Sequence, residues 1–164
     1  MRRIGMTMCV LAFAACGGKT PPPAAPAAPT PALHAGLNIK HVMLYVDDQE
    51  KALHFYTDVL GFAKKDDVTN GPFRWLTVES PAEAHGTELQ LALNDNPAAK
   101  AYQQAMFEQN QPATMFYTTD VKADYERLKA AGAEFTMPPT DVTFATIAVF
   151  KDTCGNLIQI TQLN

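Results

Sequence analysis

At 164 residues, with 47% hydrophobic and 18% charged residues, the chain has the size and composition of one ordinary globular domain able to bury a core. A formal net charge of −4 at pH 7 gives no reason to expect a nucleic-acid partner. Of three cysteines, at 9, 16 and 154, only the last falls in the region expected to fold, so core packing rather than a disulfide has to hold the domain together.

The first residues read as an export signal. "MRR" is a short basic start, and "IGMTMCVLAFAA" is an apolar run well short of the roughly 20 residues that span a bilayer. "LAFAAC" resembles a bacterial lipobox ending at Cys16, although Phe13 stands where such motifs usually carry Leu. This implies a signal peptide over 1–15 and lipidation at Cys16. An ordinary signal-peptidase site at Ala12-x-Ala14 is the alternative. The stretch "KTPPPAAPAAPTPALHAG" holds six of the twelve prolines; with fixed φ and missing donors it can build neither sheet nor regular helix, so residues 16–36 are expected to form a semi-rigid spacer.

The folded part is expected to span 37–164. "IKHVMLYVDD" alternates as a half-buried strand, with Val42, Leu44 and Val46 on one face and His41, Met43 and Tyr45 on the other. "QEKALHFYTDVLG" carries Ala52, Leu53, Tyr56, Val59 and Leu60 at helical spacing and stops at Gly61. Strands follow at "FAKKDDVT", "FRWLTVES" and "TELQLAL", and a connecting helix is expected over 97–110. The pattern then repeats: "ATMFYTTD" as strand, "KADYERLKAAG" as amphipathic helix, then strands at "AEFTM", "FATIAVF" and "NLIQITQL". His41 lies six residues before Asp47 and Thr114 six before Asp120; Gly86 lies four before Gln90 and Gly155 four before Gln159. These landmarks define two βαβββ modules, 38–95 and 112–164, related by duplication.

"HVMLYVDDQEKALHFYTDVLGF" and "VFKDTCGNLIQI" resemble the opening and closing motifs of the vicinal oxygen chelate superfamily, the group of glyoxalases, bleomycin-resistance proteins and extradiol dioxygenases. Thr153 and Cys154 depart from the Pro-Asp usual before the closing Gly-Asn. The resemblance implies an α+β fold in which two βαβββ modules form a cupped mixed sheet with helices on its convex side. Val42, Leu44, Val46, Leu89, Leu91, Ile158 and Ile160 would then pack under the helices. His41, Gln90, Thr114 and Gln159 would look into the cup, lined further by Tyr45, Trp75, Thr77, Phe116 and Thr118.

Those four positions match the metal ligands of the family's metalloenzymes, yet His, Gln, Thr and Gln include no carboxylate, and neutral amide and hydroxyl oxygens do little to balance a divalent cation. Metal is therefore not the first expectation. If zinc, nickel, manganese or iron is held, the ligands would be His41, Glu88, Gln90 and Gln159. The leading reading is a binding protein of the cell envelope that takes up a small apolar or aromatic molecule, with the catalytic residues unassigned. The alternatives are a divalent-metal-dependent lyase, isomerase or dioxygenase, and an envelope interaction domain without a ligand. Anchoring would be through Cys16, with secretion as a soluble protein as the other outcome, and a homodimer is a further expectation, since paired modules of this family close within one chain or across two.

Overall fold

The first strand of each module pairs in parallel with its last, and a helix bridges the two. A computed structural model describes residues 36–164 apart from Ala84; the expected export signal, Cys16 and all but the last residue of the spacer lie outside the described residues. The first module comprises β1 (His41–Val46), α1 (Gln49–His54), β2 (Ala63–Asn70), β3 (Phe73–Glu79) and β4 (Glu88–Leu93). Helix α2 (Pro97–Glu108) leads to the second: β5 (Thr114–Tyr117), α3 (Val121–Ala130), β6 (Glu134–Val142), β7 (Ala145–Lys151) and β8 (Leu157–Leu163). The result is the expected α+β arrangement, with one four-stranded mixed sheet per module, ordered β1-β4-β3-β2 and β5-β8-β7-β6. In each, the parallel pair is followed by antiparallel neighbours.

Local chemistry sets the helix starts. Asp48 Oδ1 accepts from the N–H groups of Glu50 and Lys51 at 2.9 and 3.0 Å, and Asp120 Oδ1 accepts from Ala123 N–H at 2.9 Å, so these two carboxylates cap equivalent helices. Helix α1 passes into a π-helical turn, Phe55–Val59, whose wider winding leaves the consecutive side chains of Phe55 and Tyr56 both buried. Gly61, at φ +82°, ends it. Strand β6 runs through Pro138 and Pro139 with two register shifts, which an edge position tolerates because one side needs no ladder donors.

Leu44, Val46, Leu76, Val78, Leu89 and Leu91 of the first sheet join Ala148, Phe150, Ile158 and Ile160 of the second in one core, closed by Ala52 of α1 and Val121 and Leu128 of α3. Six of the seven residues expected under the helices are there. Val42 is the exception at 43% exposed, because it lies near the start of β1, an edge strand, beside a cavity described below.

A buried polar junction ties the modules. Asp152, fully buried in the β7–β8 turn, accepts from the N–H groups of Cys154 (2.8 Å) and Asn156 (2.9 Å), from the Asn156 amide (2.7 Å) and from the Tyr56 hydroxyl (3.2 Å). The Asn156 amide also donates to the Tyr45 carbonyl at 2.8 Å, and Gln103 Nε2 of α2 donates to the carbonyls of Tyr45 and Cys154 at 2.8 and 2.9 Å. Gly155 sits at φ +93°, where an added Cβ would lie 3.0 Å from the Gln103 amide, so the turn needs both the backbone freedom and the missing side chain. Burial pushes the Asp152 carboxyl above its usual range, and the donated hydrogen bonds work against that rise. Replacing Asp152 by Ala strands four donors in the interior, and the expected result is a loss of about 3 kcal/mol or more of unfolding free energy in urea melts; a loss under about 1 kcal/mol contradicts the assignment.

Candidate functional site

The candidate site is built on the face of the first sheet opposite the core. Cross-strand register places His41 beside Glu88, Met43 beside Gln90 and Thr77 beside Gln90, so His41, Thr77, Glu88 and Gln90 share that face with Tyr45 and Trp75. Glu88 is 3% exposed. One of its oxygens takes His41 Nε2 at 3.2 Å and the Thr77 hydroxyl at 3.1 Å, while the other takes Lys40 Nζ at 3.1 Å. The Thr77 hydroxyl is itself oriented, since its oxygen accepts from Asp66 N–H at 3.1 Å. Burial raises the Glu88 pKa, but the hydrogen bonds from Lys40 and Thr77 and the charges of Lys40 and His41 together outweigh it and hold the carboxyl below its ordinary range.

Trp75 stands edge-on to the His41 ring, with centroids 5.2 Å apart. With Nε2 turned to the carboxylate, His41 presents Nδ1 outward, on a side chain 35% exposed. Gln90 is 5% exposed, and its amide makes no hydrogen bond to another described residue.

The second module departs from the expected quartet. Gln159 lies opposite Met115 in the register, as Gln90 lies opposite Met43, so the two glutamines are equivalent. Thr114 and Phe116 instead lie opposite Ile158 and Ile160 and belong to the core face, where Phe116 packs edge-on to Phe62 at 5.0 Å. The expected placement of Thr114 and Phe116 in the cup is thus corrected. The cause is the Asp47-Asp48 pair: the helix cap is Asp48, so counting back from it pairs His41 with Ala113 rather than Thr114. Gln159 Nε2 donates to Thr161 Oγ1 at 2.9 Å, within its own strand.

These residues do not fit a tightly held divalent metal. His41 and Glu88 are the two donors of suitable type, and they are engaged with each other; Gln90 adds only a neutral amide. Among the described residues no three His, Cys, Asp or Glu side chains come together as a metal-holding group.

Residues 38–160 match the model of the Glyoxalase/Bleomycin resistance protein/Dioxygenase superfamily, and the chain belongs to that family. It is 55% identical over 119 residues to the uncharacterized protein YurT of Bacillus subtilis (strain 168), covering 73% of this chain and 94% of that one. Among solved structures it resembles UcmS2, with a TM-score of 0.68, 31% identity and coverage of 77% of this chain and 98% of the other. It also resembles TnmS3, an antibiotic binding protein from Streptomyces sp. CB03234, with a TM-score of 0.64, 28% identity and coverage of 79% and 98%.

Sequence reasoning did not find Lys40 as a partner of Glu88 or Gln103 as the link between modules. Neither carries a motif; each finds its partners only when distant segments meet. Because the folded-state pKa of Glu88 is lowered, its ionised form stabilises the fold above the ordinary value of 4.5, and that contribution is lost as pH falls below it. Thermal melts between pH 7 and pH 3 are expected to show a shallower acid-side decline in Glu88→Gln than in the parent; equal slopes contradict the pairing.

Proposed function

We propose that this family member binds a small aromatic or apolar molecule over the face that carries Trp75, His41 and Gln90. The observation that supports this most is the grouping of Gln90, whose amide makes no hydrogen bond to another described residue, with the rings of Trp75 and His41, where a ligand carbonyl or hydroxyl would take up the amide. His41 Nδ1 adds a hydrogen-bonding group for a ligand hydroxyl. The reading agrees in kind with the antibiotic-binding description of TnmS3. A metal-dependent lyase, isomerase or dioxygenase has the His41–Glu88 pair in its favour and, against it, the want of a third anionic or imidazole donor among the described residues.

The same face exposes Met43, and its counterpart in the second module exposes Met115, Tyr117 and Leu163, each at least 50% exposed. Apolar side chains grouped in this way call for a cover, and a second copy of the chain is the cover we propose. Attachment to the cell envelope through a lipid on Cys16 is proposed from the sequence motif alone, and fractionation of a Cys16→Ser variant into membrane and soluble pools tests it.

Trp75 is the chain's only tryptophan and touches the site, so its fluorescence reports occupancy directly. Neutral aromatic compounds bearing a carbonyl or hydroxyl are expected to change that signal saturably, with affinity falling about tenfold in Gln90→Leu, the equivalent of one lost hydrogen bond. Linear, unsaturable quenching across the series, or affinities indifferent to Gln90→Leu, would overturn the reading.

A further inference from the structure

Between the modules lies a cavity of about 430 Å³ that meets the site above only at Glu88. Val42, Val78 and Leu89 line it from the core side of the first sheet, Thr114 and Phe116 from the core side of the second, and Phe62 from the end of the π-helical turn. Those walls lie on the opposite side of the first sheet from Gln90, while Glu88, Met115 and Tyr117 border the cavity from the other face, past the edge strands β1 and β5. Its volume is that of a small-molecule pocket, and the edge-on pair Phe62–Phe116, 5.0 Å between centroids, gives it an aromatic wall.

The ionisable side chains that line it are carboxylates, with Lys40 standing behind one of them. Glu83 and Glu88 border the cavity, and none of its lining residues is Lys, Arg or His. Glu83 is held there by a tight turn, in which Glu83 N–H donates to Ser80 O at 3.1 Å and Gly86 N–H to Glu83 O at 2.9 Å. The turn depends on Gly86, since a Cβ at that position would lie 2.9 Å from the Glu83 side chain. The Glu88 oxygen turned to Lys40 is the exchangeable one. Lys40 is 47% exposed, and an ion pair with so exposed a partner is worth little, whereas the other oxygen is fixed by Thr77 and His41.

We propose that this cavity is a second ligand site, for an aromatic molecule bearing a cationic group such as an amine. The aromatic body fills the space between Phe62, Phe116 and Leu89, and the ammonium displaces Lys40 from Glu88 with Glu83 beside it. An anionic ligand of the same shape meets two carboxylates and is rejected. The inference goes beyond the binding reading above and does not require it.

Calorimetric titration of the intact chain with 2-naphthylmethylamine, 2-naphthylmethanol and 2-naphthoate separates shape from charge. The amine is expected to bind at least tenfold more tightly than the alcohol, and the carboxylate more weakly than either. Val42→Phe fills the cavity from a half-exposed position and should weaken the amine at least tenfold; Thr114→Leu, which removes a polar wall group and narrows the space, provides a second variant should Val42→Phe lower the melting temperature. Glu83→Gln should reduce the advantage of the amine over the alcohol severalfold, and Gln90→Leu should leave amine affinity within twofold. Equal affinities for the three probes, or no saturable binding by any, overturn the proposal. So does an amine affinity sensitive to Gln90→Leu and insensitive to both cavity variants, which would move the probe to the Trp75 face and leave the first reading standing.

Discussion

The buried carboxylate of Asp152 is the constraint on which the rest of the domain rests. It gathers four donors from the β7–β8 turn and the π-helical turn after α1, and through Asn156 it reaches the carbonyl of Tyr45 in β1. Gln103 closes the ring from α2, so that one turn of the second module carries the end of the first strand of the first. Such a junction has little tolerance for partial satisfaction, since each donor it holds would be costly to bury alone. Cys154 is enclosed in the same turn, and burial pushes its thiol up to about 12, which makes it a packing residue rather than a nucleophile.

With the modules held in this way, the two faces of the first sheet acquire different chemistries. The core face is continuous with the second module through Ile158, Ile160 and Phe150. The opposite face collects polar groups around Glu88, whose charge is matched by Lys40 and His41 and whose geometry is set by Thr77. The Glu88–His41 pair consumes the donors that a metal would need, while Gln90 is left as a neutral group with unused capacity. The proposed recognition of a polar substituent on an aromatic body draws on that arrangement more directly than Lewis-acid chemistry would.

Much of this was legible from the residues. Alternation in "HVMLYV" and "TELQLAL" assigned faces that the register bears out, and the spacing from Gly86 to Gln90 and from Gly155 to Gln159 placed two glutamines at equivalent points. The first strand of the second module was misread by one residue because two adjacent aspartates compete for the cap, and a slip of one in a strand exchanges its faces. Thr114 and Phe116 consequently moved from the cup to the wall of the inter-module cavity. The pairing of Lys40 with Glu88 and the role of Gln103 are tertiary facts, set by which segments meet rather than by any local pattern.

The central proposal is that the His41, Glu88 and Gln90 face is a recognition floor and not a metal centre. Calorimetric titration of the chelator-treated protein with zinc, nickel and manganese at neutral pH tests it most directly. The account predicts weak, non-stoichiometric heats that Glu88→Gln leaves unchanged. One equivalent of tightly bound metal, lost in both His41→Ala and Glu88→Gln, would contradict it.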